Sequence, residues 1–212
     1  MARGYPVIWS TIIAMPILGT GVWLYLRLPD ELYHVPVAVF GSFVIVMGVY
    51  VQLITPQEPV LYDDEALITT RHPSHRVAAG MMASSIPFLI AAGFLLFRTL
   101  YPYIYPTGVF LVGLYYFTKG IKTYWSNTLT RFFVTDERVI SNYRFLSLKR
   151  KEIPMSKIRG IEENKSVAET LVGLGNVRLA SGGGGGSVRL VIRNIEESST
   201  FADEIRNLVR QS

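Results

Sequence analysis

The sequence predicts a chain with two parts of different fold class. The first is an α-helical transmembrane bundle of four helices, and the second is a small α+β barrel of antiparallel strands with a C-terminal helix. Four apolar runs of about 20 residues, none with a charged side chain, fill most of the first 125 residues. From Thr128 the hydrophobic periodicity changes to that of short strands separated by turns. Residues 125–212 also carry fourteen of the 21 lysines and arginines, as expected of a water-soluble domain.

The four apolar runs cover roughly 6–26, 35–55, 77–97 and 99–118. A helix of that length crosses about 30 Å of hydrocarbon at about 1.5 Å per residue. We therefore expect one transmembrane hairpin in residues 1–56 and a second in residues 77–125. A signal peptide is the alternative for the first run. That run is longer than the usual apolar core of a signal peptide, and no small-x-small cleavage site precedes Arg27.

The basic residues near the helix ends predict the orientation. Those on one side of the membrane are Arg3, Arg71, Arg76, Lys119, Lys122 and Arg131. The opposite side has Arg27 and Arg98, together with two acidic residues of the first short loop. Since lysine and arginine are enriched on the cytoplasmic side, we predict a multi-pass protein of the cell membrane with both termini in the cytoplasm.

Residues 57–76 form the longest polar stretch of the N-terminal half, and we predict a cytoplasmic connecting loop there. The acidic cluster 63–65 and the pair His72 and His75 could in principle share a divalent metal ion. Pro73 lies between the histidines and argues against a shared helical face. We expect instead a solvated loop, or a charge partner for the basic C-terminal domain.

Several function classes lack support in the sequence. The apolar runs have no ionisable residue, although ion pathways and proton relays usually need one. The chain has no cysteine, which excludes disulfides, thiolate metal sites and a cysteine nucleophile. We find no convergent set of histidines and carboxylates. We therefore predict no catalytic residue, no metal site and no cofactor, and we expect that the protein is not an enzyme.

Small residues cluster in the third apolar run, where Gly80 and Ser84 lie four residues apart, as do Ala79 and Ala83. Such spacing lets two helix backbones approach closely. Packing within the four-helix unit is the preferred interpretation, and a seam between copies of the chain is the alternative.

The C-terminal part, residues 126–212, is predicted to form six strands and one amphipathic helix. The strands are expected at 129–135, 138–145, 148–153, 158–164, 176–181 and 187–193. The helix is expected in the final segment, 196–210, where Phe201, Ile205 and Leu208 recur at helical spacing.

The order and spacing of short motifs in this part resemble the membrane-flanked bacterial PH-like domain family, a prokaryotic family of pleckstrin-homology-like proteins with transmembrane helices. The matching positions are Thr135-Asp136, Arg138–Ile140, Glu152–Pro154, Lys157-Ile158 and Gly173–Val177. The resemblance implies a PH-like barrel in 126–212 and a location at the membrane. It implies no established chemistry.

Two basic surfaces and a glycine run are the candidate binding sites. Strand alternation predicts that Arg178, Arg189 and Arg193 share one face of a sheet, opposite the apolar residues of the same strands. A second basic cluster consists of Lys149, Arg150 and Lys151. The glycine run 182–186, with Gly183 and Gly184 inside it, forms either an anion-binding nest or a flexible hairpin loop.

From these observations we expect a non-enzymatic interaction module that holds a PH-like domain at the cytoplasmic membrane face. Its expected ligand is a membrane-protein partner or a second copy of the chain. The first alternative is binding of anionic membrane lipid by the basic residues, and the second is an accessory subunit of a membrane enzyme or transporter. The pI of about 9.5 permits nucleic acid, but no recognisable motif supports it, so we predict neither a nucleic-acid partner nor a small-molecule substrate.

Overall fold

The computed structural model describes residues 5–30, 32–54, 58–145, 147–166, 169–170, 172–182 and 189–211. The helices of at least 14 residues are α1 (Pro6–Arg27), α2 (His34–Leu53), α3 (Arg76–Arg98), α4 (Ile104–Thr128) and α5 (Ser198–Gln211). The strands are β1 (Leu67–Arg71), β2 (Thr130–Thr135), β3 (Arg138–Arg144), β4 (Leu148–Pro154), β5 (Ile158–Asn164), β6 (Leu174–Ser181) and β7 (Arg189–Glu196).

Helices α1 and α2 form an antiparallel hairpin whose seam is lined by small residues. A Cβ atom built on Gly48 would overlap Ser10, and one built on Gly21 would lie 3.5 Å from the backbone of Ala38. Gly48 therefore allows the helices to approach more closely than a side chain would permit, whereas a Cβ at Gly21 would make an ordinary van der Waals contact.

Helices α3 and α4 form a second antiparallel hairpin, also through glycines. A Cβ on Gly113 would come within 2.9 Å of Leu89, and one on Gly120 within 3.1 Å of the Ala78 carbonyl oxygen. The small residues expected at this seam lie elsewhere: Ala79, Gly80, Ala83 and Ser84 are exposed. The expectation that these four residues pack within the helical unit is therefore wrong, because the glycines of α4 meet a different face of α3.

Among the residues that the structure describes, three helices, α1, α2 and α3, are long and apolar enough to cross a membrane. This finding supports membrane association, but the expectation of four apolar spans is wrong in number. Helix α4 begins later than the fourth apolar run and extends ten residues beyond its predicted end at residue 118. It also contains four tyrosines, Lys119 and Lys122, which make it less apolar than the other three.

The seven strands form two antiparallel sheets, with orders β1-β2-β3-β4 and β5-β6-β7. The predicted strands of residues 126–212 are all found, with shifts at their ends of at most three residues. Helix α5 packs against the core through Phe201, Ala202 and Ile205, which are fully buried. Two meandering sheets with a C-terminal helix fit the PH-like architecture that the motifs imply.

Strand β1 lies inside the predicted connecting loop 57–76, so that prediction is wrong for its central part. Leu67 is opposite Thr135 and Arg71 is opposite Phe132 in the ladder with β2. The α3–α4 hairpin is therefore inserted between the first two strands of the β domain. The strand has only five residues and is mostly exposed, so its sequence carries little hydrophobic alternation.

Both hairpins are joined to the β domain by a second apolar cluster. It includes Val51 of α2, Ala78 of α3, Trp125 of α4 and Leu129, which follows α4. The indole Nε1 of Trp125 donates to Ser10 Oγ of α1 at 3.3 Å. The cluster thus holds the ends of the four helices together where the β domain begins.

A basic cleft between the second sheet and the α3–α4 hairpin

A cleft of about 600 Å³ separates the second sheet from the end of the α3–α4 hairpin. Val77 and Met81 of α3 and Thr123 of α4 form part of its helical wall. The opposite wall is the solvent-facing side of β6 and β7. The cleft is therefore built jointly by the helical part and by the β domain.

Three arginines of the sheet line this cleft, as strand alternation predicts. Arg178 is opposite Val191 in the β6–β7 ladder, while the neighbouring Leu179–Leu190 pair is fully buried. Arg189 and Arg193 flank Val191 on the same face of β7 and also line the cleft. The structure thus brings the three predicted arginines together, while their binding role remains a prediction.

Lys119 of α4 is the fourth cation of the cleft, and the sequence did not identify it as a site residue. Its Nζ lies 5.6 Å from the centre of the Tyr115 ring, a distance that suits a cation–π contact. Lys119 directly follows the last apolar run, a position that we interpreted only as a sign of membrane orientation. Its proximity to the arginines depends on how the hairpin folds against the sheet.

One carboxylate, Glu169, lies among the cations of the cleft. Its Oε2 accepts a hydrogen bond from the Ser166 backbone N–H at 2.8 Å, and its Oε1 accepts one from Asn176 Nδ2 at 2.7 Å. Burial by itself would raise the pKa of Glu169, but these hydrogen bonds and the charge of Arg193 lower it below its ordinary value. Glu169 is therefore anionic at neutral pH. Arg178 also forms an ion pair with Glu162, with Nη1 and Oε1 3.5 Å apart, so that four cations and two carboxylates, of which Glu169 lines the cleft, leave it positive.

The floor of the cleft is fixed to the start of α3 by Asn194. Its backbone is left-handed, with φ at 55°, a conformation that asparagine tolerates better than most residues. Asn194 N–H donates to Asn176 Oδ1 at 3.0 Å, and its carbonyl oxygen accepts from Ser74 N–H at 2.7 Å. The sheet and the hairpin are thereby held at a defined separation.

A family model described as Bacterial PH domain matches residues 78–209 of the chain. The chain belongs to the bacterial PH domain family. In this bacterial PH domain the matched segment begins within α3 and ends in the last turn of α5, so it includes most of the α3–α4 hairpin as well as strands β2 to β7. Strand β1, which completes the first sheet, precedes the matched segment. No curated protein and no solved structure matches the chain.

The motif residues of this bacterial PH domain hold the segment before β1 in place. Arg138 donates from Nε and Nη2 to the two carboxylate oxygens of Glu65, at 2.8 and 2.7 Å. The Thr135 hydroxyl donates to Glu65 Oε1 at 2.7 Å, and Asp136 Oδ1 accepts from Ala66 N–H at 2.9 Å. Hydrogen bonds from Arg138 outweigh the effect of burial and lower the pKa of Glu65 to about 2.

Glu65 is thus a charge partner for the β domain, one of the two alternatives that we weighed for the acidic cluster. Its neighbours Asp63 and Asp64 are exposed. The two histidines of the same segment, His72 and His75, line a smaller cavity of about 300 Å³ beside Asn127. Among the described residues no group of three side chains has the arrangement to hold a metal ion.

The other predicted binding residues of the bacterial PH domain lie outside the cleft. Lys149, Arg150 and Lys151 are exposed on β4, in the other sheet, where Arg150 forms an ion pair with Glu152. Gly183 and Gly184 lie outside the described residues, so the choice between an anion nest and a loop stays open.

Proposed function

We propose that this bacterial PH domain is a non-enzymatic, membrane-anchored module that binds the phosphate-bearing headgroup of an anionic phospholipid in the basic cleft. One observation carries the proposal: Lys119, at the end of the least polar part of α4, lines the same cleft as Arg178, Arg189 and Arg193. The cleft therefore opens at the level where the α3–α4 hairpin would enter the bilayer.

The position along the helices supports a headgroup rather than a soluble ligand. Met81 lies five residues after the start of α3, and Lys119 follows an apolar stretch that ends at Thr118. Each headgroup region is about 5–7 Å thick, which is about four residues of helix. The helical wall of the cleft spans roughly this depth.

Charge and size also suit a headgroup. Each well-placed lysine or arginine contributes about 1 kcal/mol of attraction to anionic lipid at the surface. Arginine guanidinium groups present paired donors that match phosphate oxygens. A volume of about 600 Å³ is within the range of small-molecule sites.

The lining favours binding over catalysis. The part of the cleft that the structure describes has one carboxylate and no histidine. The hydroxyl of Thr123 already donates to the carbonyl oxygen of Lys119 at 2.8 Å. An acid–base pair and an activated nucleophile both need a second group within hydrogen-bonding reach, and we find none there.

The experiment compares two variants of equal charge change in the full-length protein. Arg178→Gln/Arg193→Gln removes two cleft cations, and Lys149→Gln/Lys151→Gln removes two exposed cations of β4. Purified protein in detergent is titrated with phosphatidylglycerol or phosphatidylcholine, and lipid adducts are counted by native mass spectrometry. We expect tight phosphatidylglycerol binding that the cleft variant loses and the β4 variant keeps. Equal binding by both variants, or equal binding of both lipids, overturns the proposal.

A protein ligand is the second candidate function, and the exposed small-residue face of α3 favours it. A Cβ on Gly80 would meet no atom within 4 Å, and Ser84 lies one turn further along the same exposed face. Such a face suits close packing against a helix of a membrane-protein partner or of a second copy. Because the chain has no cysteine, a single Ala83→Cys variant allows disulfide crosslinking in native membranes. A disulfide-crosslinked product supports this candidate. The absence of such a product contradicts it, provided that the introduced thiol reacts fully with a thiol-specific label.

A further inference from the structure

A groove of about 260 Å³ lies between the beginning of strand β5 and the last turns of helix α5. Residues 158–161 form its strand side, and Arg206, Val209 and Arg210 form its helical side. The groove shares no lining residue with the basic cleft, whose sheet wall belongs to β6 and β7. It is therefore a separate surface of the β domain, which headgroup binding in the cleft does not occupy.

Strand β5 lies at an edge of the second sheet, with β6 as its strand partner among the described residues. The outer edge of such a strand presents backbone N–H and C=O groups that can pair with an added strand. Gly160 lies within the strand side of the groove and is exposed, and a Cβ atom there would meet Ala180 at 3.7 Å. Packing inside the domain therefore does not require a glycine at this position, whereas the close approach of another backbone favours one.

The apolar part of the groove belongs to the domain core. Ile158 is buried, and Ile161 and Val209 are partly buried against the core cluster that also contains Phe201 and Ile205 of α5. These contacts join the strand to the helix and fix the width of the groove. An apolar side chain placed there would extend a cluster that is already packed, and it would be removed from water.

The rest of the lining is basic, with three exposed arginines at positions 159, 206 and 210. The ladder with β6 shifts register at Arg159, which has no opposite residue in β6. Irregularities of this kind redirect a side chain at a sheet edge. Among the described residues Arg206 forms an ion pair with Asp203, whereas Arg159 and Arg210 form none. The groove is therefore positively charged and has two cations available for an acidic ligand.

We propose that this groove binds an acidic, extended segment of a partner protein, which adds to β5 as a further strand. Backbone groups of the segment pair with the outer edge of β5, and an apolar side chain of the segment packs on Ile161 and Val209. Its carboxylates bind Arg159 and Arg210, because guanidinium groups present paired donors that match carboxylate oxygens. A free phosphate would use the arginines but neither the strand edge nor the apolar lining, so the combination favours a peptide.

Three capped hexapeptides test the proposal on the full-length protein in detergent. Each peptide alternates valine with one polar residue, which is glutamate, glutamine or lysine. The peptides carry an uncharged fluorophore, and fluorescence anisotropy measures their affinities. We expect the glutamate peptide to bind about tenfold more tightly than the glutamine peptide, and the lysine peptide not to bind. Equal affinities of the three peptides, or binding of none of them, overturn the proposal.

A pair of charge-matched variants locates the binding site of the glutamate peptide. Arg159→Gln/Arg210→Gln should weaken binding about tenfold, since it removes both available cations. Lys149→Gln/Lys151→Gln removes the same charge from exposed residues of β4 and should leave the affinity unchanged. The variant that removes two arginines of the basic cleft should also keep the peptide, although we expect it to lose phosphatidylglycerol. Equal losses in the groove and β4 variants, or no loss in either, contradict binding in the groove.

Methylation of the peptide backbone separates strand addition from simple attraction of an anion. Two versions of the glutamate peptide carry N-methyl groups on alternate residues, so that each version blocks one edge of the extended backbone. Because a single edge of the added strand pairs with β5, we expect one version to bind like the unmodified peptide and the other to lose binding. Equal behaviour of the two versions overturns strand addition. If inorganic phosphate also displaces both equally, the groove is a site for small anions and the proposal fails.

Discussion

Arg138 and Glu65 form a buried ion pair, with 2.7 Å between Nη2 and Oε2, although 73 residues separate them in the chain. The intervening segment includes the whole α3–α4 hairpin. The pair therefore joins the chain before the hairpin to β3, the second strand after it. The centre of the Tyr62 ring lies 4.2 Å from the guanidinium carbon of Arg138, and Glu152 accepts a hydrogen bond from Nη1 at 2.7 Å. The Arg138 cation therefore has a ring contact and a second carboxylate partner besides Glu65.

Arg138→Gln should destabilise the protein by about 3 kcal/mol, because it leaves the Glu65 carboxylate buried without its cation. The side chain of Glu65 has no exposed surface, so water cannot compensate. The free energy of unfolding of the full-length protein in detergent measures this loss. The control is Arg150→Gln, since Arg150 pairs with Glu152 but is one-third exposed, and should cost less than about 1 kcal/mol. Similar losses in both variants would contradict the prediction.

Acid should destabilise the β domain between about pH 4.5 and pH 2. The pKa of Glu65 is held at about 2 by hydrogen bonds from Arg138, and that of Glu163 by hydrogen bonds from Ser198 and then Lys165. Because these pKa values are below the ordinary 4.5, the unfolded state takes up protons first as the pH falls. The stabilisation is complete above about pH 5 and decreases towards pH 2.

The measurement for this pH dependence is the unfolding free energy of the full-length protein from pH 7 to pH 3. Glu65→Gln should be less stable at pH 7 and should lose less of its remaining stability on acidification. An acid dependence equal to that of the unchanged protein would show that Glu65 does not contribute to it.

Lys119→Gln should weaken phosphatidylglycerol binding about fivefold, the equivalent of about 1 kcal/mol for one cation at the headgroup level. The same variant should leave phosphatidylcholine binding unchanged. Binding by the unchanged protein should also fall as salt rises, because exposed charges are screened beyond about 10 Å at 0.1 M. The control is Lys149→Gln, which removes a cation outside the cleft. An affinity that is insensitive to both salt and Lys119 would argue against an electrostatic headgroup site.

Gly48→Ala should destabilise the α1–α2 hairpin by about 1–3 kcal/mol, because the new methyl group overlaps Ser10. Displacing Ser10 also disturbs its hydrogen bond with Trp125 of α4. Gly19→Ala is the matched control, since a Cβ there meets no atom within 4 Å and alanine favours a helix by about 1 kcal/mol. Thermal unfolding of both variants in the same detergent should give a lower midpoint for Gly48→Ala alone. A lower midpoint for both would indicate a general intolerance of these helices to substitution.

Much of the β domain could be predicted because its signals are local. Leu179 and Leu190 alternate with Arg178 and Arg189, and this alternation alone places the arginines on one face. The apolar spacing of Phe201 and Ile205 likewise predicted α5. Strand β1 was missed because its five residues are mostly exposed and gain their strand character only by pairing with β2.

The candidate site was predicted only in part, for a similar reason. The three arginines come from two adjacent strands, whereas Lys119 comes from a helix about 60 residues earlier in the chain. Composition also predicted four apolar helices where the described residues contain three. The fourth apolar run has no charged side chain, but α4 contains several tyrosines and is therefore less apolar.

The sequence by itself determined the division into an apolar helical part and a basic strand-rich part, since hydrophobic length and period depend only on neighbouring residues. It also determined the family, through the order of short motifs from Thr135 to Val177. Only the tertiary structure decided that the α3–α4 hairpin interrupts the first sheet, that Glu65 pairs with Arg138 and that Lys119 joins the arginines. These are contacts between residues far apart in the chain, and their energies arise when the elements pack together.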